Sequence, residues 1–140
     1  MIGTARALLP SNAVGVGRLE DLIAWQLADA FKLEIYGLLR DSRSASADLP
    51  FRDQLRHAAA SVSMNIGEGF YRFGARQFRR YLTIALGSLG EATLWLRDGI
   101  DREHFDKAAC EPAFTLAKRC PVAVLRLRQS LEPKTPEDRT

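Results

Sequence analysis

Residues 54–96 read QLRHAAASVSMNIGEGFYRFGARQFRRYLTIALGSLGEATLWL, and this stretch decides the fold of the 140-residue chain. Apolar residues recur at intervals of three or four on both sides of Gly74, a spacing typical of helices that bury one face. The pattern predicts one helix over residues 51–73 and another over residues 75–98, joined by a tight turn at Gly74. The predicted core positions are Leu55, Ala59, Val62, Ile66, Phe70 and Phe73 in the first of these central helices, and Phe78, Leu82, Ala85, Leu89, Ala92 and Leu96 in the second.

Two further helices flank this central pair. Residues 19–40 and 102–131 carry apolar residues at the same spacing, and Asp101 is the expected N-cap of the last helix. Pro112 and Pro121 lie inside that last helix, and we expect them to kink or split it. The core positions predicted in the flanking helices are Ala24, Leu27, Phe31, Ile35 and Leu38, and then Phe105, Ala109, Leu116, Cys120, Ala123 and Leu127.

The connections between the predicted helices are short. Residues 41–50 are expected to form a Ser/Ala/Asp loop that ends in a proline, and residues 99–101 a turn. No strand pattern appears, and short connections favour antiparallel neighbours. We therefore predict an all-α, antiparallel up-down four-helix bundle over residues 18–131. Residues 1–17 are expected to be a flexible arm, and residues 132–140 a polar tail.

Composition and charge are those of a globular protein without a membrane span. Hydrophobic residues make up 46% of the chain and charged residues 26%, and no apolar run is long enough to cross a bilayer. The first residues lack the apolar region of a signal peptide, so we expect a cytoplasmic protein. The 20 Lys and Arg exceed the 17 Asp and Glu, which weakly favours an acidic partner.

The two central helices lack the charged face that a monomeric bundle keeps toward water. Residues 57–67 and residues 81–90 contain no formally charged side chain. A chain of this size cannot surround two of its four helices, so we predict that other copies of the chain cover these faces. The small Ala, Ser and Gly residues there allow close approach of helices. The alternative is that both faces are neutral surfaces exposed to solvent.

A polar stripe lies beside the core positions of each central helix. On the first helix it comprises Ser61, Asn65 and Glu68. On the second helix it comprises Ser88 and Glu91. Because polar groups within a packed layer must be paired, we expect Asn65, Glu68 and Glu91 to hydrogen-bond helix ends, or arginine or tyrosine side chains across the bundle or the subunit boundary.

Arginines cluster where the two central helices meet. Arg76, Arg79 and Arg80 fall within an arc of about 100° on the second helix, and Arg72 can join them from the end of the first. Aromatic residues among cations are suited to stacking on unpaired bases. The pattern favours a nucleic-acid interface, and the alternative is a solvated face or a set of ion pairs between subunits. The candidate interface comprises Arg72, Arg76, Arg79 and Arg80, with Tyr71 and Phe73 among them.

The sequence carries no signature of catalysis or of a metal site. It contains no GxSxG, no phosphate loop and no Glu-x-x-His motif, and its nearest metal-like pair is Asp101 and His104. Cys110 and Cys120 are separated by about 15 Å along one helix, which is beyond disulfide reach. We therefore expect no enzymatic activity, no metal, no cofactor and two reduced thiols.

The central stretch resembles a known family. The segments QLRHAAASVSMNIGEGFYR (54–72) and FRRYLTIALGSLGEATLWL (78–96) are similar to two signature segments of the four-helix-bundle proteins encoded in intervening sequences of bacterial 23S rRNA genes. The segment LEDLIAWQLADAFKLEIYGLL (19–39) resembles the opening helix of that family. The resemblance implies an all-α bundle and a ring-like homo-oligomer, usually a pentamer. It also implies kinship with the accessory subunits of diversity-generating retroelements, which bind nucleic acid and a reverse transcriptase. The resemblance does not imply an enzymatic activity.

These observations favour a non-catalytic, oligomeric helical bundle that binds nucleic acid or assembles a ribonucleoprotein. The expected partners are further copies of the chain, RNA or DNA, and a protein encoded by a neighbouring gene, but not a membrane. A structural or protein-interaction scaffold is the rival hypothesis, and an enzyme with an unrecognised site is a third. Because phosphate contacts weaken steeply as salt rises, the salt dependence of binding separates the first two.

Overall fold

The fold of this protein is all-helical, as the sequence predicts. The structure, a computed structural model, describes residues 17–72 and 74–133, and these contain no strand. A 3-10 turn at Leu19–Asp21 precedes five α-helices. The predicted arm (apart from its last residue), Phe73 and residues 134–140 of the predicted tail lie outside the described residues. The helices are α1 (Ile23–Asp41), α2 (Arg43–Ala47), α3 (Leu49–Phe70), α4 (Ala75–Asp101) and α5 (Lys107–Ser130).

The four long helices share one hydrophobic core. Helix α1 packs against α3 and α5, and α4 packs against the same two helices. All the described core positions predicted for the two central helices are buried, and so are those of α1 except Leu38, which is partly buried. In the last helix the prediction is wrong at Ala109, which is exposed, while the neighbouring Cys110 is fully buried. The difference arises because α5 begins at Lys107 and not at Arg102. Of the other positions predicted there, Phe105 and Cys120 are buried, and Leu116, Ala123 and Leu127 are partly buried.

The segment expected to be a loop is partly helical. Helix α2 occupies its middle, and the Ser42 hydroxyl caps it by accepting a hydrogen bond from the Ala45 amide at 3.1 Å. Helix α3 then begins at Leu49, so Pro50 lies in its first turn, where a proline loses no helical hydrogen bond. The proline that was expected to end the loop therefore starts the next helix.

Helix α4 extends through the predicted turn at residues 99–101. Gly99 remains helical and buried because two aromatic rings press on it. A Cβ at Gly99 would lie 2.6 Å from Phe105 and 2.7 Å from Phe51. Asp101 is consequently the last residue of α4 and not an N-cap, and Asp106 directly precedes α5.

Helix α5 runs without interruption past its two prolines. Pro112 and Pro121 each remove one backbone hydrogen bond, but neither splits the helix. Buried residues flank both positions, among them Ala113 and Val124, so packing against the core holds the helix together.

Helices α3 and α4 form the most extensive pair in the molecule. Gly69 near the end of α3 packs against Phe78 near the start of α4, where a Cβ on Gly69 would lie 2.9 Å from the ring. At the other end of the pair, the rings of Phe51 and Trp95 meet edge to face at 6.1 Å. The two helices therefore run in opposite directions, with Ser61 and Ser88 of the polar stripe in contact between them.

Candidate nucleic-acid interface

The polar stripe predicted from the sequence joins α3 to α4. The hydroxyl oxygens of Ser61 and Ser88 lie 2.8 Å apart. The Asn65 amide nitrogen donates to the Ser61 carbonyl oxygen at 2.8 Å and to its hydroxyl at 2.9 Å. All three side chains are partly buried, so each polar group is paired where water is partly excluded. This cluster fixes the register of the helices that carry the candidate interface.

Glu68 and Arg72 form an ion pair within α3 rather than across helices. The Arg72 guanidinium donates to the Glu68 carboxylate at 2.8 and 3.2 Å and lies 5.1 Å from the centre of the Tyr81 ring. The hydrogen bond to Glu68 raises the pKa of Arg72. Glu68 is 51% exposed, and Glu91 is also exposed. Only Asn65, Ser61 and Ser88 of the stripe are thus paired within the layer of this single chain.

The four arginines of the candidate interface divide into two groups. Arg76 and Arg80 are exposed on the outer side of α4. Arg79 points toward α5, where its guanidinium donates to the Leu131 carbonyl oxygen at the helix end. Arg72 pairs with Glu68 and contacts the Tyr81 ring. Two of the four arginines, Arg72 and Arg79, therefore have partners within the chain.

An exposed tyrosine borders these arginines. Tyr71 is 67% exposed at the end of α3, and its ring meets the Phe70 ring edge to face at 5.0 Å. Buried Phe70 thereby orients a ring whose other side faces solvent. The structure brings Tyr71, Arg72, Arg76 and Arg80 to the α3–α4 turn, while Phe73 lies outside the described residues.

The uncharged faces of α3 and α4 expose large apolar side chains. Met64 in the first uncharged segment is 71% exposed, and Ile84 in the second is 42% exposed; Leu94, which follows the second segment beyond Glu91, is 67% exposed. Met64 follows Ser61 by one helical turn, and Ile84 precedes Ser88 by one turn, so both flank the serine pair. The sequence pattern identified these segments as uncharged, and the structure adds which apolar side chains reach solvent.

Sequence reasoning missed a polar cluster that ties α2 and α3 to the α4–α5 connection. The His104 ring nitrogens lie 2.8 Å from Asp48 Oδ2 and 2.9 Å from the Ser44 hydroxyl. The Ser42 hydroxyl donates to the His104 carbonyl oxygen at 2.8 Å. Arg102 pairs with the same Asp48 oxygen at 3.2 Å. No local motif signals this cluster, because its members are more than fifty residues apart in the sequence.

The hydrogen bonds of this cluster stabilise the contact of α2 and the start of α3 with the α4–α5 connection. The His104 hydrogen bond lowers the pKa of Asp48, and Arg102 also favours the ionised carboxylate. The His104 ring packs 4.9 Å from the Phe51 ring, which fixes its orientation. Among the described residues, no group of three or more His, Cys, Asp or Glu side chains could hold a metal ion. Both cysteines are free and buried, and burial raises the pKa of each thiol to about 11.

The fold and the surfaces described above define a small all-helical protein with a basic end and an uncharged, partly apolar face. Residues 20–121 match the family model of the 23S rRNA-intervening sequence protein, so the chain belongs to that family. The resemblance identified in the sequence is thereby confirmed at the level of the family. No curated protein matches the chain. Within the described residues, the helices are too short or too polar to span a membrane.

Proposed function

We propose that this protein is a non-catalytic, cytoplasmic helical-bundle protein that assembles as a cyclic homo-oligomer and binds nucleic acid. Its four long helices form an antiparallel up-down bundle, and the α3–α4 turn is the nucleic-acid-binding end. The observation that carries the binding proposal is the exposure of Arg76, Arg80 and Tyr71 together at this end. The first turn of α4 contains no acidic residue to neutralise them.

Exposed guanidinium groups with a neighbouring aromatic ring suit a single-stranded ligand. Arg76 and Arg80 are one turn apart on α4, a spacing that suits contacts along a phosphate backbone. Tyr71 offers a ring for base stacking, which does not depend on base identity. We therefore expect binding with little sequence preference. The implied kinship with retroelement accessory subunits agrees with this expectation.

The uncharged face supports self-association. Met64, Ile84 and Leu94 together expose an apolar surface that a monomer would leave in water. Gly87 and Gly90 lie nearby on α4, and a Cβ on either would meet nothing within 4 Å in the single chain. Their smallness thus serves no contact inside the subunit and suits close approach by a second copy. In a ring, of which a pentamer is the favoured size, each subunit repeats the basic end and strengthens binding without new contacts.

Two variant pairs test assembly and binding separately. Met64→Glu places a charge on the uncharged face and should reduce the mass measured by analytical ultracentrifugation. Leu33→Glu, at a 57% exposed position on α1, is the matched control and should keep the parent mass. An unchanged mass for Met64→Glu would overturn the assembly proposal.

For binding, Arg76→Gln with Arg80→Gln should weaken RNA and single-stranded DNA alike. The slope of affinity against salt should fall by about two units for each subunit engaged. Arg97→Gln with Arg119→Gln removes the same charge from other exposed positions and should leave the slope nearly unchanged. Fluorescence anisotropy of labelled strands across a salt series measures both.

A protein-interaction scaffold without nucleic-acid binding is the second candidate. It is favoured by the engagement of Arg72 with Glu68 and of Arg79 with the end of α5, which leaves fewer free cations than the sequence pattern indicates. A parent protein that keeps its oligomer mass but binds no strand at low salt would establish this second function. Its partner would then be another protein, for example one encoded by a neighbouring gene.

A further inference from the structure

The function proposed above assigns no role to a groove that lies between α1 and the first half of α3. It consists of two adjoining cavities of about 250 and 840 Å³ that share Tyr36 and Arg56 in their walls. Both cavities are wide open to solvent, so a ligand bound there would keep much of its surface in water. The remaining lining residues are Leu39, Arg40, Ser46 and Arg52 in the smaller cavity, and Asp53, Gln54, His57 and Ala60 in the larger.

The charge of this groove is positive. Arg40, Arg52 and Arg56 line it against a single carboxylate, that of Asp53. His57 adds an imidazole ring whose nitrogen atoms can hydrogen-bond to a ligand. A concave surface lined by cations concentrates anions from solution.

Two of these guanidinium groups converge on one oxygen atom. Arg52 Nη2 lies 3.2 Å from Asp53 Oδ1, and Arg56 Nη2 lies 3.5 Å from the same atom. All three side chains are at least one-third exposed, so these ion pairs are weak and can exchange with solutes. A phosphate group that displaces the Asp53 carboxylate from this position could accept from both arginines, with the fork geometry that guanidinium groups offer to phosphates.

An aromatic ring lies beside this anion position. Tyr36 is half-buried on α1 and lines both cavities. Lys32, one turn earlier, places its ammonium 5.9 Å from the ring centre and pairs with Asp29 at 2.8 Å. The ring is therefore supported by its own helix and can stack on a planar base.

We propose that the α1–α3 groove binds a nucleotide unit, with its phosphate on Arg52 and Arg56 and its base against Tyr36. The groove lies in the first half of α3, whereas the basic end lies beyond the last turn of that helix. The proposal therefore does not depend on nucleic-acid binding at the basic end. The same chemistry is presented by a free nucleotide and by one nucleotide of a single strand.

The two histidines allow a direct test by NMR on the full-length protein. His57 lines the groove, whereas His104 is held by Asp48 and Ser44. Inorganic phosphate, adenosine monophosphate and short oligothymidylate should each shift the His57 ring signals saturably at constant ionic strength and leave those of His104 nearly in place. The mononucleotide should bind more tightly than phosphate because it adds the base contact. Absent or identical shifts at the two histidines would overturn the proposal.

Variants identify the contacts and the source of the ligand. Arg52→Gln with Arg56→Gln should weaken binding of all three probes by about tenfold or more. Tyr36→Leu should weaken the mononucleotide to the affinity of inorganic phosphate. Arg97→Gln with Arg119→Gln is the charge-matched control and should bind as the parent does. Equal losses in this control would show non-specific charge attraction and overturn the proposal.

The remaining comparisons identify the ligand source and separate this groove from the basic end. Tighter binding of the oligonucleotide would identify a nucleic-acid strand as the source, and tighter binding of the mononucleotide a free nucleotide. Arg76→Gln with Arg80→Gln should leave the His57 shifts intact. This variant therefore separates failure of the groove from failure of the basic end.

Discussion

Replacing Gly69 with alanine tests the packing that holds α3 against α4. A Cβ at this position would lie 2.8 Å from Tyr81 Cβ and 2.9 Å from Phe78 Cδ1, closer than real Cβ atoms come to other atoms. Tyr81 Cβ sits at the base of its side chain, so relief requires α3 and α4 to move apart. Such overpacking costs about 1–3 kcal/mol, and the alanine recovers at most about 1 kcal/mol of helix propensity. Subtracting that recovery from the middle of the overpacking range, about 2 kcal/mol, gives an expected net loss of about 1 kcal/mol in the free energy of unfolding.

Gly37→Ala is the matched control on α1, away from the proposed self-association face. A Cβ there meets only the flexible Arg40 guanidinium, at 3.5 Å, so this variant should gain about 0.5–1 kcal/mol from helix propensity alone. Urea unfolding followed by circular dichroism, at one protomer concentration, measures both variants against the parent. The reasoning is refuted if Gly69→Ala is as stable as the parent, or if both variants change stability in the same direction.

Three further predictions concern groups outside the α3–α4 contact. The folded state lowers the pKa of Asp48, chiefly through its hydrogen bond to His104. This carboxylate therefore stabilises the fold above about pH 4 and ceases to do so as the pH falls through its folded-state pKa. Denaturation curves should show the parent losing more stability on acidification than Asp48→Asn does. Both cysteines are buried with pKa values raised to about 11, so Ellman's reagent should label neither in the native protein and both after unfolding. Arg79→Gln removes the donor to the Leu131 carbonyl, so it should lower the free energy of unfolding by about 1 kcal/mol. It should leave the salt slope of nucleic-acid binding unchanged. A changed slope would show that Arg79 contacts the nucleic acid.

The sequence predicts the long helices well because their signal is local. Leu55 and Phe78 belong to strong 3.6-residue patterns, and both are fully buried. The sequence pattern does not predict the ends of α4 and α5, because these ends depend on distant contacts. Gly99, for example, stays helical under Phe51, which is 48 positions away in the chain. No single-sequence pattern reports such a contact.

The sequence predicts which residues make up the candidate site but not which partners each of them contacts. Helical spacing groups Arg76, Arg79 and Arg80 within one arc of α4, yet it cannot reveal that Arg79 reaches the end of α5. The groove at Tyr36 was missed for the same reason, since its walls come from two helices whose relative placement only the fold defines. Partners on the same helix, such as Glu68 and Arg72, are visible from spacing alone.

The proposed assembly would offset two unfavourable features of the uncharged face. Gly87 and Gly90 each lower the helix propensity of α4 by about 1 kcal/mol relative to alanine, and no contact in the single chain offsets that loss. Met64 and Leu94 add exposed apolar surface to the same region. A second copy packed on this face would offset both costs at once, because small residues allow close approach and the apolar side chains leave water. If the chain assembles in this way, its stability must rise with protomer concentration, and Met64→Glu must abolish that dependence while leaving the fold of the dilute protein intact.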